Sequence, residues 1–236
     1  MMSRKLRLSS YGSFNPSYAN VSLLLHGDGT NGSTTITDNS PTPKTLTVNG
    51  NTQINTTIKK YGTGSIAFDG TGDYLSSAYN AAFDLLPNSF TVECWVYLTA
   101  YKAGGMRLFS TGGGVVAFNA TTGIHTLCQF GAAGQVSINI SNNTASPLGV
   151  TSTAGASLNT WAHVAFVFDS TASKARVFLN GNMTEATASG VARPSTNPLM
   201  NIASIPGESG SVTIALQGYV DDFQLTKGVA KYNMSF

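Results

Sequence analysis

Charge is what this chain has least of. Asp, Glu, Lys and Arg make up only 10% of its 236 residues, against roughly a quarter in an ordinary globular protein. The formal net charge of +2 is too small to hold nucleic acid or an anionic membrane by charge, so neither is expected as a partner. Glutamate occurs only at Glu93, Glu185 and Glu208, each isolated. No stretch groups carboxylates as Glu-x-Asp-x-x-Glu, so the paired acids of glycoside hydrolysis have no evident source. His26, His125 and His163 are far apart in sequence and offer no spacing that tests for a catalytic triad. Cys94 and Cys128 lack zinc-ligand spacing; both fall in strand-like runs without a signal peptide and read as buried free thiols. Gly112-Gly113-Gly114 has neither the lysine nor the following helix of a phosphate loop. No apolar run is long enough for a secretion signal or a membrane span. Enzymatic activity is not expected.

What is present is 42% apolar residues and 25 glycines, in a chain long enough to bury one sizeable core. Asn, Thr, Ser and Gly take the surface positions that Lys and Glu hold elsewhere, which suits short strands and turns rather than exposed helices. The stretch 161–184 shows the pattern best. From Trp161 to Phe168 both alternate sets are apolar, so this strand belongs inside a sheet with something packed on each side. The return strand alternates, with Ala175, Val177 and Leu179 inward and Lys174, Arg176 and Asn180 outward. Asn180-Gly181 is a hairpin-turn pair. Phe90 to Leu98 sets Val92, Cys94, Val96 and Leu98 against Thr91, Glu93, Trp95 and Tyr97. Further strands are expected at 21–25, 46–48, 54–58, 66–68, 74–75, 108–110, 115–119, 125–130, 135–140, 200–202, 213–216 and 218–226, with a single helical turn within 80–88. That spacing predicts an all-β antiparallel sandwich or barrel. The division expected is an N-terminal arm at 1–19, basic through Arg4, Lys5 and Arg7, and one domain at 20–236.

Six stretches carry a resemblance. They are Gly64-Ser65-Ile66-Ala67-Phe68-Asp69-Gly70, Asp73-Tyr74, Phe90-Thr91-Val92-Glu93-Cys94-Trp95-Val96, Trp161-Ala162-His163-Val164-Ala165, Val177-Phe178-Leu179-Asn180-Gly181, and Gly218-Tyr219-Val220-Asp221-Asp222-Phe223. In this order they resemble the laminin-G-like branch of the concanavalin A-like jelly rolls. The closing run from Asp221 to Tyr232 is similar to the ends of such domains in bacteriophage tail-fibre, tail-associated and capsid-surface proteins. The resemblance implies two curved antiparallel sheets in a jelly roll, often a structural calcium, and a role in binding glycans or proteins. It also implies a virion location, with assembly in the host cytoplasm. Other virion proteins are then expected partners through the basic arm, host surface polysaccharide a further one, and a homo-oligomer the expected state.

Candidate residues follow from chemistry and from that likeness. Asp28 and Asp38 flank a loop rich in amide and carbonyl oxygens, the hard ligands calcium prefers. Asp221 shares an expected strand face with Tyr219, Phe223 and Leu225, where a carboxylate needs a cation or several donors. In similar domains the first and last strands meet, which would bring Asp221 beside the 28–38 loop. Asp28, Asp38 and Asp221 are therefore the expected metal ligands, with turn caps and backbone acceptors as the alternative. Glu93 is read as a satisfied polar residue and His163 as a hydrogen-bonded structural one. Tyr79, Tyr97, Tyr101 and Arg107 are candidates for glycan stacking and bonding, with no convergence visible in sequence.

Overall fold

A computed structural model describes residues 18–114, 117–207 and 214–236. In chain order the strands are β1 (Val21–Leu25), β2 (Thr47–Asn49), β3 (Gln53–Asn55), β4 (Ser65–Asp69) and β5 (Tyr74–Ser77). Next come β6 (Phe90–Leu98), β7 (Met106–Gly112), β8 (Ile124–Phe130), β9 (Gln135–Ile140) and β10 (Leu148–Gly155). The last are β11 (Trp161–Asp169), β12 (Lys174–Leu179), β13 (Asn182–Thr187), β14 (Leu199–Ile202) and β15 (Gln217–Lys227). They form two antiparallel sheets. The larger runs β13-β12-β11-β6-β15-β4-β3, with β1 also paired to β15, and the smaller runs β10-β9-β8-β7-β14-β5-β2. This is the expected jelly-roll sandwich, and the expected helical turn is a single 3-10 turn at Ala81–Phe83.

Alternation builds the core between the sheets. Val92, Cys94, Val96 and Leu98 of β6 and Ala162, Val164, Phe166 and Phe168 of β11 face Phe109, Cys128, Phe130 and Ile138 of the smaller sheet. Cys94 and Cys128 are both buried and free, and burial pushes both thiols well up. The β12–β13 turn places Asn180 and Gly181 at positive φ, 50° and 82°, as the Asn-Gly pair predicts.

β15 organises the larger sheet. One side pairs with β6 along nearly its whole length, while the other pairs with β4 through 217–220 and then with β1 through 223–226. Where the partner changes, the register against β6 shifts between Asp221 and Gln224 and Asp222 takes a φ of 50°. This bulge resets the alternation. Tyr219 and Asp221 point outward, whereas Phe223 and Leu225 turn into the core. The single strand face expected for all four is corrected accordingly.

Other differences are local. Residues 117–119 and 214–216 are not strand, and the rest of those two expected strands lies outside the described residues. Strands β10 and β13 are polar and half-exposed, with no apolar alternation to reveal them. Residues 1–17 of the arm lie outside the described residues.

Candidate functional site

The outer face of the larger sheet is laid out in cross-strand rows, set by register. One row crosses five strands: Gln53 of β3, Ala67 of β4, Tyr219 of β15, Tyr97 of β6 and Trp161 of β11. Its three rings are partly exposed and touch edge to face, with centroids 5.9 Å apart for Tyr97–Tyr219 and 5.5 Å for Tyr97–Trp161. Gly218 keeps this row close, because a Cβ there would stand 2.2 Å from the Tyr97 carbonyl oxygen. At the Tyr219 end the surface dips into a cleft of about 240 Å³ lined by Asn51, Gln53, Asp69, Asp73, Thr99 and Gln217.

The next row is Asp221, Trp95 and His163. Trp95 meets His163 at 5.4 Å and Tyr61 at 5.9 Å, and the Lys60 ammonium lies 4.0 Å from its ring centroid. Beyond it stand Gln224, Glu93, Ala165, Phe178 and Met183. Here residues 228–236 fold back as a strap. Lys231 pairs with Glu93, the Tyr232 hydroxyl donates to Glu93 Oε2 at 2.6 Å, and His163 Nε2 lies 3.6 Å from the same oxygen. Burial alone would push the Glu93 carboxyl up, but the contacts from His163, Lys231 and Tyr232 outweigh it and bring its pKa to about 2. Tyr232 meets Phe178 edge to face at 5.6 Å, and Phe236 lies tilted against it at 5.7 Å. With Ala230 and Met183 they close a second small core of Ala165, Val167 and Phe178. Glu93 is thus the satisfied polar residue the sequence predicts, held by His163, Lys231 and Tyr232 and unable to serve as a general acid near neutral pH.

The three expected metal ligands do not gather. β1 and β15 do pair as expected, and Asp28 and Asp221 both meet the 59–63 loop. Asp221 Oδ2 accepts the Lys60 and Tyr61 N–H groups at 2.8 and 2.9 Å, and Asp28 Oδ1 accepts from Thr63 N at 2.6 Å and Oγ1 at 2.9 Å. Asp38 sits elsewhere, taking Leu24 N, Ser40 N, Ser40 Oγ and Lys44 N at 3.0, 2.8, 2.9 and 2.7 Å. Calcium needs converging oxygens, whereas these carboxylates are ringed by N–H and O–H donors. Among the described residues no three His, Cys, Asp or Glu side chains are placed to share a metal. The donor set does not fit a calcium held jointly by Asp28, Asp38 and Asp221.

Of the glycan candidates, only Tyr97 lies in the aromatic row. Arg107 is on the smaller sheet, where it donates to Gln129 Oε1. Tyr101 donates to the Ala156 carbonyl, and Tyr79 is 45% exposed in the loop after β5. Sequence reasoning passed over Trp161 and Tyr219. The signal was present in their alternation with core residues, but their meeting depends on register.

The described residues form a two-sheet lectin-like sandwich whose larger sheet carries a row of aromatic rings on its outer face. Residues 69–230 match the family model of the concanavalin A-like lectin/glucanases superfamily, and the chain belongs to that superfamily. No curated protein sequence matches it. Among solved structures it is similar to the binding domain of Paraclostridial mosquitocidal protein 1, with a TM-score of 0.66 and 12% identity over 89% of this chain and 49% of that one. It is also similar to the binding domain of botulinum neurotoxin DC in complex with rat synaptotagmin II, and to the same domain in complex with SialylT. Each of these has a TM-score of 0.58 over 90% of this chain and 49% of the other, with 13% identity for the first and 14% for the second. The chain therefore spans about half the length of these neighbours, and the likeness is one of fold.

Proposed function

We propose that this domain is a non-catalytic recognition module of a bacteriophage particle surface, in a decoration or tail-associated protein. In this reading the outer face of the larger sheet holds host surface glycans, and residues 1–19 dock the domain to other virion proteins. The observation that carries the glycan reading is the row Tyr219–Tyr97–Trp161. Sugar rings present C–H faces that stack on aromatic surface, while neighbouring amides and carboxylates bond their hydroxyls. Three partly exposed rings on adjacent strands, beside a polar cleft, supply both. The lectin-like superfamily and the neighbour complexed with SialylT point the same way. The virion setting rests on the resemblance of the Asp221–Tyr232 run to phage virion domains. The non-catalytic reading rests on the occupied state of Glu93.

A glycan array with the full chain tests the binding role. We expect binding to polysaccharide that weakens about threefold to tenfold in Trp161→Ala, the range of a single lost aromatic contact; an array blank for the intact chain would overturn it. Deleting residues 1–19 should abolish incorporation into particles, and unchanged incorporation would refute docking through the arm.

A further inference from the structure

We propose that the cleft at the Tyr219 end of the aromatic row is a subsite for one neutral pyranose ring, and that it disfavours acidic sugars. This rests on the glycan-binding reading above and adds the place and the chemical class of the ligand. The observation behind it is unspent hydrogen-bonding capacity. Polar side chains at other turns are spent within the fold: Asp38 accepts four bonds, Asn119 four, and Asn55 caps its own turn. Asn51, Gln53, Thr99, Gln217 and Tyr219 line the cleft, and no side-chain hydrogen bond ties any of the five to another described residue. Amides and hydroxyls both donate and accept, as sugar hydroxyls do, so this lining matches a polyol better than it matches an ion.

The walls are preformed. Asp73 is only 2% exposed and is pinned by the N–H groups of Asn51 at 2.7 Å and Asp69 at 2.8 Å. It thereby joins the 49–52 turn to the β4–β5 turn. Gly50 and Gly70 sit at those turns with φ of 67° and 87°. A Cβ on Gly50 would stand 2.3 Å from Asp73 Oδ1, and one on Gly70 would stand 2.9 Å from Gln217 Cβ. Bare glycines thus leave the Asp73 and Gln217 side chains their places. Charge sets the selectivity. Two carboxylates, Asp69 and Asp73, border the cleft, with the Lys102 ammonium engaged on the Gly70 carbonyl, so a sugar carboxylate would meet net negative charge. Size sets the length. At about 240 Å³ the cleft is smaller than the roughly 300–1,000 Å³ that takes a drug-sized molecule, which leaves room for one ring while a longer chain continues along Tyr97 and Trp161.

The test is NMR titration of the full chain with methyl glucoside, methyl galactoside and methyl mannoside, and with glucuronate as the acidic probe. At least one neutral glycoside should shift the side-chain amide signals of Gln53 and Gln217, with glucuronate at least tenfold weaker. The double variant Gln53→Ala/Gln217→Ala loses no bond within the described fold, so it should melt like the parent while losing tenfold or more in affinity for the monosaccharide. Trp161→Ala should leave the monosaccharide unaffected and weaken only oligosaccharides. Equal monosaccharide affinity in parent and double variant, or stronger binding of glucuronate, overturns the cleft. If oligosaccharides then still depend on Trp161, the wider glycan reading stands without it. If no saccharide binds the intact chain, both fall.

Discussion

The outer face of the larger sheet divides into two halves that carry the same kinds of side chain and use them differently. At the β1 end of β15, aromatic rings, a carboxylate and a lysine are closed over one another by residues 228–236: Phe178 is fully buried and Glu93 is 8% exposed. At the β4 end, Tyr97, Tyr219 and Trp161 remain partly exposed, and the side-chain amides of Asn51, Gln53 and Gln217 beside them bond to no described residue. An aromatic or a carboxylate on a sheet face is therefore no indicator of function. Whether another piece of chain has already satisfied it decides the matter. A strapped row is a second core, and an open row is a surface with capacity left over.

The largest effect should come from unstrapping. Removing residues 228–236 exposes Ala165, Val167 and Phe178, and leaves Glu93 without Lys231 and Tyr232. Losing the cover of a buried phenylalanine puts the expected cost at about 4 kcal/mol, read as a fall in the denaturation midpoint. Glu93→Gln comes next, at about 3 kcal/mol, because it leaves the Lys231 ammonium, whose side chain is only 16% exposed, without its charge partner. Both variants should keep the aromatic row and any saccharide binding it has. Loss of binding with an unchanged melting curve would mean that the strapped half contacts ligand too.

Acid separates the two sheets. Glu93 titrates at about 2 in the fold against an ordinary 4.5, so its stabilising contribution is complete above pH 4.5 and is lost as pH falls through 2, because the unfolded chain takes up the proton first. His125 of the smaller sheet acts in a higher window. Burial, and then the Arg193 charge, lower its pKa from 6.5 to about 4 despite Asp84. The unfolded state therefore binds a proton between pH 6.5 and 4 that the fold refuses, and stability should decline across that range as pH drops. Melting temperature against pH should show both declines. His125→Leu should flatten the upper one alone, and Glu93→Gln the lower one alone.

The architecture was legible because alternation is local. Val92-Glu93-Cys94-Trp95-Val96-Tyr97 and Ala175-Arg176-Val177 declare their inner faces without reference to anything distant, and Asn180-Gly181 declares its turn. The candidate site is not local. Its central row joins residues 53, 67, 97, 161 and 219, and no short-range pattern gives the register that aligns them. The bulge at Asp222 compounds this, because a positive φ at a non-glycine residue in mid-strand leaves no mark in the sequence. Strict alternation carried past it sends Phe223 to the wrong face and gives Asp221 apolar neighbours it does not have. Polar strands such as β10 and β13 were missed for the converse reason: with neither face deeply buried, no apolar period records them.

The boundary between the halves is the Trp95 row, and Lys60 offers the finest test of it. Its backbone N–H, with that of Tyr61, holds Asp221, while its ammonium lies 4.0 Å from the Trp95 ring centroid and 5.7 Å from that of Tyr61. Lys60→Met keeps both backbone donors and most of the apolar stem, so it removes little besides the cation. If the boundary belongs to the structural half, the loss is that of one partly exposed cation–π contact, about 0.5–1 kcal/mol. It should diminish little with salt, since the ring and cation are in contact, and saccharide affinity should not change. If the boundary belongs to the open half, freeing the Trp95 face adds a fourth ring beside Tyr97, and oligosaccharide affinity should rise while stability falls by the same small amount. Denaturation and titration of this single variant therefore locate the edge of the binding surface to within one row of the sheet.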